Sequence, residues 1–150
     1  MKLATILQNH VLWTGLIAWI LAQAIKPPID YLHSRHWNWA LAFTTGGMPS
    51  SHSALITGTA MAIGLHQGFG DPLFGLAVAV SMIIVYDAAG IRRQAGMQAQ
   101  KINAIMNELL KGHLISQDQL REVLGHTPLE AAGGVLLGIV TAMVVWLIWR

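Results

Sequence analysis

Residues 46–53, Gly46-Gly47-Met48-Pro49-Ser50-Ser51-His52-Ser53, hold the densest set of small, hydroxyl and imidazole groups in the chain. They sit where a polar loop enters an apolar run. Two glycines let the backbone approach a bound group, or adopt positive φ, without steric cost. Pro49 suits the first position of a helix, where a missing N–H does no harm. The free N–H groups of such a first turn point out of the helix end and favour an anion. Ser50, Ser51 and Ser53 add hydroxyl donors, and His52 adds a proton donor near neutral pH. The spacing predicts a phosphate pocket.

A second imidazole lies in His126-Thr127-Pro128-Leu129-Glu130. Glu130, four residues on, can sit one helical turn below His126 and fix the tautomer and orientation of its ring. Two histidines from different helices can divide phosphoryl transfer: one attacks phosphorus, the other protonates the leaving oxygen. Lys26, Arg92 and Arg93 can hold phosphate oxygens, arginine with forked contacts. Asp87 is read as a partner to an arginine or a substrate contact. No cluster has zinc-ligand spacing, and without cysteine neither disulfides nor thiolate metal sites form. No cofactor is expected.

The elements that position these groups follow from composition. The 150-residue chain is 54% hydrophobic and only 11% charged, with mean hydropathy +0.52. A soluble domain this small could not bury so much apolar surface, so the chain reads as an all-α, polytopic membrane bundle in one domain, residues 1–150. The pI of 9.3 rests on a net charge of only +2, too little to imply nucleic acid. Lys2 and the apolar run after it resemble a signal peptide only weakly, and the run leads into a retained first span.

Four spans are expected. The first, His10–Lys26, is ended by Pro27-Pro28. Residues 28–45, with Trp37 and Trp39, have an interfacial composition and predict a short surface helix or ordered loop. The second span, Pro49–His66, is rich in small residues that permit close packing in lipid. A turn at 67–72 leads to the third, Pro72–Ala89. Beyond Gly90, Ile102, Ile105, Met106, Leu109 and Leu110 mark an amphipathic helix over 97–111, lying on the membrane surface or against another subunit. Ser116 and Gln119 predict a short helix through Leu124, ended by Gly125. Thr127, Pro128 and Glu130 have the spacing of a cap, first position and third position of a last span reaching Trp149. Four spans of alternating direction bring Lys26, the 46–53 loop, Asp87, Arg92, Arg93, His126 and Glu130 to one face.

Pro49-Ser50-Ser51-His52 resembles the Pro-Ser-Gly-His signature of the type 2 phosphatidic acid phosphatase and vanadium haloperoxidase superfamily. His126-Thr127-Pro128-Leu129-Glu130 resembles its His-x-x-x-Asp motif. GGMPSSHSA, YDAAGIRRQAG and LGHTPLEAAGG together are closer to the superfamily's divergent branch of small membrane proteins, over about residues 20–140. Ser51 replaces the signature glycine. The lysine–arginine motif ahead of the serine loop is reduced to Lys26-Pro27, and Leu120 falls where an arginine is expected. The resemblance implies His126 as nucleophile, Glu130 as its orienting carboxylate and His52 as general acid. Lys26, Gly47, Ser50, Ser51, Asp87, Arg92 and Arg93 would surround phosphate.

Plainer roles compete for several of these residues. Ser50 and Ser51 could only cap a helix, Glu130 could only close a capping box, and Arg92 and Arg93 could be topology anchors. His10, His33, His36, His66 and His113 read as surface groups, and the tryptophans as belt residues. Lys26, Arg35, Arg92, Arg93, Lys101, Lys111 and Arg121 lie on the site face, against Lys2 and Arg150 on the other, which places the site in the cytoplasm. The expected function is metal-independent hydrolysis of a lipid phosphate through a phosphohistidine, with phosphatidylglycerol phosphate first. Phosphatidate or a polyprenyl (di)phosphate is the alternative, and a non-catalytic lipid-binding or assembly subunit the competing class. The expected partner is a phospholipid in the bilayer. The small-residue surface leaves room for a homodimer.

Overall fold

A computed structural model describes residues 4–44, 46–109 and 125–149. The expected helix at 116–124, with His113, Lys111 and Arg121, lies outside the described residues. So do the side chains of Arg92 and Arg93. A four-residue helix, α1 (Ala4–Leu7), precedes α2 (His10–Ser34). A 3₁₀ helix follows (Trp39–Phe43), then α3 (Ser51–Gln67), α4 (Pro72–Ala89), α5 (Ile91–Leu109) and α6 (Pro128–Ile148). The described residues contain no strand.

Local chemistry accounts for most helix starts. The Asn9 side chain accepts from Leu12 N at 3.0 Å and opens α2. Asp71 accepts from Leu73 N at 2.7 Å, with Pro72 next in line, and opens α4. Two expectations fail. Pro27-Pro28 do not end α2, which continues to Ser34 and stops where Arg35 turns left-handed at φ 58°. Proline costs the helix bonds to the carbonyls of Gln23 and Ala24 but already has a helical φ, and burial of Lys26 and Pro27 holds the axis through the break. Nor is Pro49 the first residue of α3. Ser50 caps that helix by accepting from Ser53 N, so Pro49 precedes the cap.

Among the described residues, two helical runs are long and apolar enough to cross a membrane, Pro72–Met106 and Pro128–Ile148. The first joins α4 to α5 across Gly90, so the chain does stay helical past that residue. Helix α3 lies at the centre, packed on α2, α4 and α6. Cross-helix neighbours give the directions. Ala18 of α2 lies by Gly58, and Gly15 by Thr59, so α2 and α3 are antiparallel. Ser81 of α4 reaches the Ile56 carbonyl and Phe74 lies by Gly64, so α3 and α4 are antiparallel as well. Gly134 and Gly138 of α6 follow Ser50 and Ala54 of α3 in the same order, so α3 and α6 are parallel.

The α3–α6 crossing is the tightest. A Cβ at Gly134 would fall on the Ser50 carbonyl oxygen and come within 2.9 Å of Ser53 Cβ. One at Gly138 would lie 2.5 Å from the Ala54 carbonyl oxygen. Only glycine lets the backbones approach this closely. Ala18, Ala22 and Ala54 form the fully buried centre of the bundle.

Candidate functional site

Helix α6 begins with a complete capping box. The Thr127 hydroxyl accepts from Glu130 N at 3.3 Å, and Glu130 Oε2 accepts from Thr127 N at 3.2 Å. The same Oε2 lies 3.0 Å from His126 Nδ1. An ionised carboxylate only accepts, so Nδ1 carries the proton and Nε2 of the neutral ring carries the lone pair. That Nε2 is buried and has no hydrogen-bond partner among the described residues. Capping and ring orientation are thus two uses of one oxygen.

Two backbone hydrogen bonds join this helix start to other helix ends. His126 N donates to the Ala88 carbonyl at the end of α4, at 3.0 Å. Ser50 N donates to the Glu130 carbonyl at 2.9 Å, which seats the cap of α3 on the first turn of α6. Ser50 Oγ accepts from Ser53 N at 3.4 Å and from the Ser53 hydroxyl at 3.1 Å. Ser51, the first residue of α3, keeps a buried Oγ with no partner among the described residues. His52 follows it and is half-buried. A buried hydroxyl and a buried ring nitrogen, both unspent, therefore stand on two adjoining helix starts. Buried polar atoms are normally paired, so these two are set apart from the other polar groups at these helix starts.

Lys26 completes the enclosure. It is 2% exposed, and its Nζ donates to the Thr44 carbonyl at 2.9 Å. Gly47, at φ +85°, passes over the lysine stem, and its missing Cβ would sit 4.0 Å from Lys26 Cδ. Of the two loop glycines, Gly47 is the one whose backbone requires glycine. Lys26 thus holds the loop entering the site, a role the sequence did not disclose. Asp87 is half-buried in the last turn of α4, beside the Ala88 carbonyl that receives His126 N. Arg92 and Arg93 occupy the first turn of α5, just past the same helix end. Lys26 lies in the body of α2, two turns before its end, whereas Gly47, Ser50, Ser51, His52, Asp87, His126 and Glu130 lie at or beside the joined ends of α3, α4 and α6. Among the described residues, no three His, Asp or Glu side chains are grouped to hold a metal ion.

The opposite end of the bundle holds a grouping that spacing could not reveal. His10 and His66, from the start of α2 and the last turns of α3, stack with centroids 5.5 Å apart. Trp149 meets His10 edge-on at 5.1 Å. They are 56 residues apart in sequence, counting from 10 to 66, and only the antiparallel packing of α2 and α3 joins them.

A helical bundle with an oriented imidazole and a serine-rich helix start at one end fits one class of protein. The chain belongs to the divergent PAP2 family, whose model matches residues 7–141. It is 37% identical over 150 residues to the protein of Bacillus subtilis (strain 168) called uncharacterized membrane protein YuiD, with 93% of this chain and 95% of that protein covered. No solved structure matches the chain.

Proposed function

We propose that this protein is a multi-pass membrane phosphatase that hydrolyses a lipid phosphomonoester through a phosphohistidine. The observation that carries the reading is His126: Nδ1 held by Glu130 at 3.0 Å, with Nε2 buried and unpartnered beside the start of α3. A ring fixed in this way presents a lone pair without first losing a proton. Nε2 attacks phosphorus, a P–N bond forms, and the P–O bond to the lipid breaks. His52 gives its proton to the departing lipid oxygen. Water then attacks phosphorus and passes a proton back to His52. The P–N bond breaks, inorganic phosphate leaves, and the imidazole lone pair is restored. Ser50, Ser51, Arg92 and Arg93 steady the phosphoryl oxygens, with Lys26 and Gly47 shaping the loop around them.

The basic residues support a cytoplasmic site, because Lys26, Arg35, Arg92, Arg93 and Lys101 all lie at the site end. On that side phosphatidylglycerol phosphate is the first substrate to test, followed by phosphatidate and a polyprenyl diphosphate. The purified protein in detergent is given each lipid in turn, and inorganic phosphate is measured. Release by the wild type, lost in His126→Ala and in His52→Ala, is expected. Equal release by the wild type and His126→Ala would remove the mechanism. No release from any lipid would leave a membrane protein that binds phosphate without cleaving it. The chain has no native cysteine, so Ser34→Cys makes a unique thiol at the exposed end of α2. An impermeant thiol reagent should miss it in intact cells and label it after permeabilisation.

A further inference from the structure

Helices α3, α4 and α6 enclose a cavity of about 820 Å³ that opens to the side between α4 and α6. Its upper rim is Tyr86, Ala89 and Pro128. Pro128 is two residues beyond His126, a separation of no more than about 7 Å of chain. The hydrogen bond from His126 N to the Ala88 carbonyl, at 3.0 Å, ties the candidate nucleophile to the same rim. On α6 the wall runs from Pro128 to Ile139, about 17 Å of helix. Half of a bilayer's hydrocarbon core is about 15 Å. The cavity therefore begins beside the site, and its length matches the thickness of one leaflet.

Its wall offers almost nothing polar to a guest. The only hydroxyls on the membrane-depth part of the wall belong to Thr57 and Ser81. Both are spent on their own helices, Thr57 on the Ser53 carbonyl at 2.6 Å and Ser81 on the Ala77 carbonyl at 2.7 Å. Phe74 stands at the far end of α4's share of the wall, locked edge-on against Phe69 at 5.2 Å. A guest must be apolar, about one leaflet long, and attached at its upper end to a group that reaches His126. We propose that this groove holds one hydrocarbon chain of the lipid whose phosphate sits at His126, and that Phe74 limits the length it accepts. The proposal rests on the phosphatase reading for the headgroup but not for the chain.

Two probes test it on the full-length protein in phosphatidylcholine vesicles. One is a phosphatidic acid with a diazirine midway along one acyl chain, and the other is phosphatidylcholine with the same label. After illumination, crosslinks from the first probe should concentrate on residues 57–61, 74–86 and 131–139. They should exceed those from the second and be displaced by unlabelled phosphatidic acid. Val78→Trp fills the groove at mid-depth and should lower that labelling at least about tenfold, the affinity lost with roughly two displaced methylenes. Val78→Leu should retain it. Equal labelling by both probes, spread over the outer faces of all helices, would overturn the proposal. So would a disulfide between two copies formed through Val78→Cys in this cysteine-free chain, which would mean that a second copy fills the groove. Focused labelling without phosphate release from any lipid would leave the groove standing and remove the phosphatase reading. Phosphate release with unfocused labelling would do the reverse.

Discussion

Both ends of the bundle carry histidines, and they are held differently. At the far end, His10 and His66 meet as rings, stacked 5.5 Å apart and edged by Trp149. No hydrogen bond described there holds the two rings to each other. At the site end, His126 is gripped on both sides: Glu130 takes its Nδ1, and its backbone N–H is anchored on Ala88. The surroundings differ as well. His126 itself is 4% exposed, and Ser50 and Ser51 at the adjoining start of α3 are buried, whereas His10 is exposed. Imidazole content therefore does not mark the site. What marks it is directional support, in which one ring nitrogen is fixed so that the other is aimed.

Substitutions at the two ends should have unequal effects. The largest effect is expected from His126→Ala, which should lower phosphate release by more than about 10³-fold, whereas His66→Ala should leave it unchanged. Similar losses from both would erase the distinction between the ends. Glu130→Gln keeps size but weakens the grip on Nδ1 and the capping box. A fall of about 10²-fold in kcat is expected, with a smaller change in KM, measured on the same lipid. Restoration by Glu130→Asp, which keeps the acceptor, would show that orientation is the cause.

Gly134→Leu tests whether the glycine crossing carries the site. A side chain there meets Ser50 and Ser53, and overpacking of this kind costs about 1–3 kcal/mol. Thermal unfolding in detergent should shift downward and activity should fall with it. A normal unfolding temperature would show that α3 and α6 need not touch. Lys26→Met removes the donor to the loop carbonyl of Thr44 while keeping most of the stem. Loss of a hydrogen bond from a charged donor costs about 1.5–3 kcal/mol, and limited proteolysis should then cut faster near residues 44–47. The smallest effect is expected at the far end. His66→Phe replaces a ring whose buried Nε2 has no partner among the described residues, so stability should change by less than about 0.5 kcal/mol in either direction.

Much of the site was legible before any coordinates, and the reason is range. The capping box of Thr127 and Glu130, and the contact of Glu130 with His126, span three and four residues, distances that helix geometry sets by itself. The expectation that Lys26, the serine loop, Asp87, Arg92, Arg93, His126 and Glu130 gather rested on span lengths and alternation, and backbone hydrogen bonds do join the starts of α3 and α6 to each other and to the end of α4. The start of α3 was misplaced by two residues, because a serine able to accept from Ser53 N outcompetes a proline for the role of setting the helix start. The end of α2 was misread because proline's missing hydrogen bonds were weighed without the packing that burial of Lys26 and Pro27 supplies. The tasks of Lys26 and Gly47 were read as phosphate binding, since residue type alone does not reveal that Thr44 supplies the acceptor.

An all-helical chain, its apolar runs and the capping box of Thr127 and Glu130 are legible in the sequence alone. These are properties of periodicity and of contacts within one turn, where chain connectivity keeps the partners close. The tertiary structure alone decided that Ser50 N would find the Glu130 carbonyl and that His126 N would find Ala88. It alone decided that Gly134 would admit the Ser50 backbone, that His10 would stack on His66, and that α4 would leave a groove against α6. Each of these joins positions far apart in the chain, and each depends on how closely two helices approach. Side-chain volume at the crossing sets that distance, and no spacing along the chain records it.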